Sequence, residues 1–204
     1  MQASKSWLLR DPLPLLVRFS VVAGALFVFR DQLSQLYLIG MVPLVNGIFR
    51  FEGLAVEFIR QQQVLTLAYA DLGLRFTVHD IIYQNLMVAV ALFAATPETT
   101  IRWKVQWIAT VLALLWVTHV ASLYLGGYVI VWDYVEGLPP VAREQMARQV
   151  LEVFPRDRDW LFSNLFGLWH TWGRPTLALL IWLYAARDYL RLPGAESPAP
   201  EPAR

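Results

Sequence analysis

The chain has 204 residues, 57% of them hydrophobic and 16% charged, with nine Trp and a formal net charge of +1. Soluble domains carry about 25% charged and about 45–50% apolar residues, so this composition reads as an integral membrane protein rather than a water-soluble fold. The charge balance offers no footprint for nucleic acid, and a sequence without cysteine has no disulfide, no thiolate metal ligand and no cysteine nucleophile.

The first apolar segment, "RDPLPLLVRFSVVAGALFVFRDQL", predicts a span over about residues 12–30. Asp11 suits a helix cap and Pro12 a first turn. Arg18 lies near the beginning of this span, where its head can reach the headgroups. A cleaved signal peptide with Lys5 and Arg10 as its basic region and "AGA" as its cleavage site is the alternative. Residues 32–50 are interrupted by Gly40, Pro43 and Gly47 and read as an extension of the first helix followed by an interfacial segment.

Residues 54–79 change period. Leu65, Leu67 and Tyr69 alternate with Thr66, Ala68 and Ala70, and Leu72, Leu74, Phe76 and Val78 alternate with Gly73, Arg75 and Thr77. A period of two predicts strands, with turns at Gln61–Gln63 and Asp71–Gly73. An open sheet edge has no place in hydrocarbon, so this β segment belongs outside the bilayer.

Further spans are predicted over 81–97, 103–126 and 166–188, with Gly126–Gly127 as the membrane exit of the third. Between the last two, residues 133–165 form an outer segment. In it Val141, Met146, Val150 and Val153 recur at helical spacing, the pattern of an amphipathic surface helix. The expected fold is therefore a mainly α membrane protein of four transmembrane helices, one domain over 1–192, with a disordered tail over 193–204. Lys5 and Arg10, Arg102 and Lys104, and Arg187 and Arg191 flank the spans on one side, which predicts that both termini are cytoplasmic.

This topology delivers all three histidines to the outer leaflet. His79 precedes the second span, and His170 lies near the start of the last. His119 follows Trp103 by about 24 Å of helix, in a hydrocarbon layer of about 30 Å. Asp80, Gln84 and Asn85 accompany His79, Thr118 and Ser122 accompany His119, and Trp169 and Thr171 accompany His170. Arg174 follows His170 by one helical turn inside an apolar segment, where an arginine costs about 2.5–3.5 kcal/mol on insertion scales and needs a partner such as Asp80. Gly173 and Pro175 flank it and predict a helix break. His79, Asp80, His119, His170 and Arg174 are thus the candidate outward-facing cluster. The same residues taken one by one suit a membrane interface. The spacing contains no HExxH, so no metal is expected, and no GxSxG, so no serine-based hydrolysis; the Trp and Tyr residues read as interfacial belts, so no cofactor is expected.

"WVTHVASLYLGG" resembles the "NxxRxxxLYxxG" segment of the exosortase/archaeosortase family of multi-pass membrane transpeptidases, with His119 at the arginine position and Trp116 at the asparagine position. "LWHTWGRPTLALLIW" is similar to the segment bearing that family's histidine, which would be His170. The family's cysteine would fall near "VHDIIYQNL", where this chain has none. The resemblance spans about residues 78–188. It implies a bacterial inner-membrane protein of the exosortase-associated kind, of the exosortase H-associated type, that lacks the acyl-enzyme chemistry of a thiolate. Its expected role is that of a pseudoenzyme or accessory in protein sorting, partnered by an exosortase or by substrates with C-terminal membrane-anchored signals. The alternatives are a membrane enzyme using His119, His170 and Arg174 directly, and a purely structural membrane protein.

Overall fold

The computed structural model describes residues 12–61, 64–69, 74–78, 83–154, 156 and 159–190. The fold is mostly helical with one small antiparallel sheet. Helix α1, Leu13–Val28, follows Pro12, whose fixed φ suits a helix start. Phe29 (φ −97°, ψ 14°) then leaves the helical region for one residue. Helix α2, Arg30–Phe51, resumes at once and carries Pro43 in its interior.

The expected interfacial segment is thus replaced by a 22-residue helix. Its buried face, Leu38, Met41, Val42, Val45 and Phe49, has the 3–4 spacing of an amphipathic helix. That packing outweighs the breakers Gly40, Pro43 and Gly47.

Strands β1 (Val56–Gln61), β2 (Val64–Tyr69) and β3 (Leu74–Val78) pair in sequence order, all antiparallel. Registers run from Val56↔Tyr69 to Gln61↔Val64 and from Leu65↔Val78 to Tyr69↔Leu74. The period of two is explained by burial: Leu65, Leu67 and Tyr69 are fully buried while Thr66 and Ala68 are not. The turn residues at 62–63 and 70–73 lie outside the described residues. On the β1 edge, the Asn46 amide holds both backbone groups of Phe58, donating to its carbonyl (3.0 Å) and accepting from its N–H (2.7 Å). One side chain of α2 thereby closes part of an edge that would otherwise be open for pairing.

Helix α3 is Tyr83–Ala95 and helix α4 is Ile101–Glu136. Between them Thr100 caps α4 by accepting the Trp103 N–H, and Lys104 Nζ donates to the Ala94 carbonyl at 2.7 Å. At 1.5 Å per residue α4 is about 54 Å long. It does not end at Gly126–Gly127 as the sequence suggested. Those glycines are close-approach positions in mid-helix: a Cβ at Gly126 would come 2.9 Å from a Phe166 ring carbon, and one at Gly127 2.8 Å from Phe49 Cζ. Small residues let the neighbouring rings reach the α4 backbone, and the helix continues because nothing removes its N–H groups.

Helix α5, Pro140–Val153, is the outer helix, although Val141 is exposed and only the Met146–Val150 side packs inward. Helix α6, Asp159–Leu168, runs through a π-helical stretch, Trp169–Gly173, into α7, Arg174–Leu190. The break expected at Gly173–Pro175 is absent. Pro175 has no N–H to give, and the chain responds with one widened turn in which the Arg174 N–H reaches back to the Trp169 carbonyl. The expected 166–188 span is therefore part of a longer helical run over 159–190.

Two hydrophobic clusters divide the molecule into tiers. One gathers Leu15, α3, the 111–115 part of α4 and the inner face of α7. The other gathers α2, β1, β2, the 120–135 part of α4, Val150 and Phe154. The helical runs α1–α2, α4 and α6–α7 pass through both tiers. Helix α3 contributes to the first only, and the sheet to the second. At the far end of the first tier Trp182 Nε1 donates to Thr96 Oγ1 (2.9 Å), so the α3–α4 turn and the C-terminal part of α7 lie side by side.

Candidate functional site

His119 lies where the two clusters meet. It is 1% exposed, four residues beyond Leu115 of the first cluster and one before Val120 of the second. Both ring nitrogens are engaged. Nδ1 is 2.7 Å from the Tyr37 hydroxyl of α2, and Nε2 is 3.2 Å from Asn85 Nδ2 of α3. Asn85 Nδ2 also donates to the Arg174 carbonyl at 3.4 Å, which fixes the direction of the amide. With an amide N–H pointing at Nε2, that nitrogen accepts, and the imidazole proton sits on Nδ1 and is donated to the Tyr37 oxygen. The answer to a histidine deep in an apolar helix is thus structural in the first instance. It joins α2, α3 and α4, and through Asn85 it reaches the α7 backbone.

The indole of Trp169 packs edge-on against His119, with ring centroids 6.1 Å apart. Asn85 Oδ1 and Trp169 Nε1 are buried without a protein partner among the described residues. Beside this knot, His170 Nδ1 is 3.1 Å from Arg174 NH1. Guanidinium can only donate, so Nδ1 accepts and the His170 proton is on Nε2. The Arg174 residue is 9% exposed, whereas His170 is exposed. No acidic side chain among the described residues forms an ion pair with Arg174.

His119, Ser122, His170 and Arg174 open on one pocket of about 40 Å³, walled by Phe58, Leu123 and Phe166. Phe166 stacks on His170 with ring centroids 4.2 Å apart. Its close seat on α4 requires the missing side chain of Gly126.

Of the five residues expected to cluster, His119, His170 and Arg174 come together in this pocket, while His79 and Asp80 lie outside the described residues. Among the described residues no group of three or more His, Asp or Glu side chains is placed to hold a metal ion. Ser122 joins the pocket, but Thr118 turns back to the Leu115 carbonyl. Tyr37 is the residue that sequence reasoning missed. Its signal was its position between Leu38 and the apolar 3–4 stripe of α2, visible only once residues 32–50 are read as one helix. Asn85 stood out in sequence as polar company for His79, and the structure pairs it with His119.

A second polar knot lies in the sheet tier. Tyr124 and Tyr128 both donate to the Glu52 carboxylate, at 2.8–2.9 and 3.1 Å, and Tyr69 donates to the Gly127 carbonyl at 2.7 Å. Burial keeps the Tyr69 hydroxyl protonated far above the ordinary tyrosine range, with Tyr128 adding to the effect. These bonds tie α2, β2 and α4 together, and they carry structure rather than chemistry.

No protein-family model, curated protein or solved structure matches the chain.

Proposed function

We propose that this chain is an inner-membrane protein with four spans and two cytoplasmic termini, acting as a non-catalytic, exosortase-like accessory in the sorting of proteins with C-terminal membrane-anchored signals. In this reading α1, α3, residues 101–119 of α4 and α7 cross the bilayer, and the sheet tier stands on the outer side.

The membrane placement is supported by surface and length. Two helices, Arg30–Phe51 and Ile101–Glu136, are long and apolar enough to cross, and α1 and parts of α3 and α7 are apolar but shorter. Val21, Val28, Val105, Val117 and Leu180 are exposed on helices of the first tier, which suits a lipid-facing surface. Helix α4 exceeds a hydrocarbon layer of about 30 Å, so part of it must project beyond the membrane. The projecting part is best assigned to the half that carries the sheet, whose strand edges need water or protein partners. Helix α2 packs on that sheet and goes with it, although its length alone would allow a span. Arg102 and Lys104, at the opposite end with Arg187, favour the cytoplasmic side.

The accessory role is carried by one observation. His119, which the resemblance aligns with the family's arginine, spends both ring nitrogens on Tyr37 and Asn85. Bound in this way it neither offers a permanent positive charge nor takes up a proton without breaking the knot, and no cysteine exists to be activated. What remains in the pocket suits binding. Apolar side chains continue past the junction onto the outer tier, with Leu36 and Ile39 on α2 and Leu161 and Leu165 on α6 exposed. That surface suits a membrane-embedded protein partner. Affinity purification from mild detergent is expected to recover an exosortase or a signal-bearing substrate, and repeated recovery of neither refutes the role. A second reading, an enzyme, rests on His170, whose exposed ring is held by Arg174 and keeps Nε2–H for chemistry.

A further inference from the structure

The pocket beside His170 is rich in donors and poor in acceptors. Arg174 gives one of its five N–H groups to His170 Nδ1, which leaves others to donate. His170 keeps its proton on Nε2. Ser122 adds a hydroxyl from α4. His119 contributes no free donor or acceptor, because both of its nitrogens are bound elsewhere. Among the described residues no acidic side chain lines the pocket, and Arg174, itself nine-tenths buried, forms no ion pair with a carboxylate. A buried charge left in that condition is expensive, and the expense is offset when an anion enters.

The room available selects the anion. About 40 Å³ exceeds the space of one water and holds a group of only a few heavy atoms. Donors arriving from three elements, α4, the π turn and α7, surround a tetrahedral oxyanion better than a planar carboxylate. The walls Phe58, Leu123 and Phe166 are apolar, and the helical run that carries Phe166 and His170 also exposes Leu165, Leu168 and Trp172. Residue 119 lies about 27 Å along α4 from Ile101. In a bilayer whose inner boundary is at Ile101, the pocket stands at the level of the outer headgroups.

We propose that Arg174, His170 and Ser122 form a binding site for an anionic phosphate group, presented by a phospholipid headgroup or as free phosphate. Only the lipid source rests on the membrane placement proposed above, and neither source depends on the sorting role.

The test uses the full chain purified in detergent. Native mass spectrometry would follow retention of phosphatidylglycerol against diacylglycerol of the same acyl chains, and a thermal-shift titration would follow inorganic phosphate. The expected result is selective retention of one phosphatidylglycerol per chain for the lipid source, or stabilisation by inorganic phosphate alone for the free anion. In either case Arg174→Gln weakens binding by about tenfold or more, the loss of a charge-assisted bond. His170→Phe and Ser122→Ala, at an exposed and a half-buried position, weaken it less while leaving the melting temperature without ligand near that of the wild type. These two variants decide the matter if Arg174→Gln fails to fold. Equal retention of phosphatidylglycerol and diacylglycerol together with no response to phosphate overturns the site, as does unchanged binding in the folded variants. Failure to recover a sorting partner would leave this result untouched, so the two readings fail separately.

Discussion

At the scale of single residues, His119 is a connector before it is anything else. A phenylalanine there would fill similar space but leave the Tyr37 hydroxyl and an Asn85 N–H unpartnered in a dry setting. Each orphaned group costs about 1–3 kcal/mol. His119→Phe is therefore expected to lower the melting temperature in detergent clearly, and Tyr37→Phe to lower it less. Because both act on one bond, the double variant should cost less than the sum of the two, and strict additivity would show that the Tyr37–His119 contact contributes nothing. The sequence made His119, His170 and Arg174 visible as polar residues in apolar surroundings. It could not reveal Tyr37, since hydrogen-bond partners 82 positions apart leave no mark on local pattern.

At the scale of elements, the same residue type does opposite things in different places. Gly127 is pressed against Phe49, and Gly167 has nothing within 4 Å of where a Cβ would stand. Gly127→Ala is expected to destabilise by about 1–3 kcal/mol through overpacking. Gly167→Ala is expected to stabilise by about 0.5–1 kcal/mol, because the unfolded chain then has less backbone entropy to lose and the added Cβ meets no steric cost. Melting curves of the two variants check both signs, and equal shifts would contradict the packing of α4 against α2. Strand β2 was legible because its alternation records burial directly, whereas the continuity of α4 through Gly126–Gly127 was not. Glycine signals either a helix end or a close approach, and only the neighbour decides which. The π turn at Trp169–Gly173 belongs to the same class: Gly173 and Pro175 announce a disturbance but not its form.

At the scale of the whole molecule, two stacked tiers share helical runs, and the polar knot sits where they meet. The proposed membrane placement predicts opposite exposure of the two ends across a bilayer. The absence of native cysteine makes the test clean. Ile101→Cys, at the α3–α4 turn, and Gln149→Cys, on the outward side of α5, are both exposed positions. A membrane-impermeant maleimide applied to intact cells lacking an outer barrier is expected to label Gln149→Cys alone, and to label Ile101→Cys only after permeabilisation. Labelling of both, or of Ile101→Cys alone, would contradict the topology.

Composition and periodicity by themselves determined the apolar helical character of the chain, the change to a period of two after residue 54, and the identity of the polar residues that apolar segments must house. These follow from local transfer free energies, which each stretch carries regardless of its neighbours. Tertiary structure alone decided that α2 is a packed helix, that α4 runs on past its glycines, and that His119 closes a bond network with α2 and α3 while Arg174 shares a pocket with His170 and Ser122. Those outcomes depend on which surfaces meet, and contacts between distant segments are properties of the folded chain rather than of any window along it.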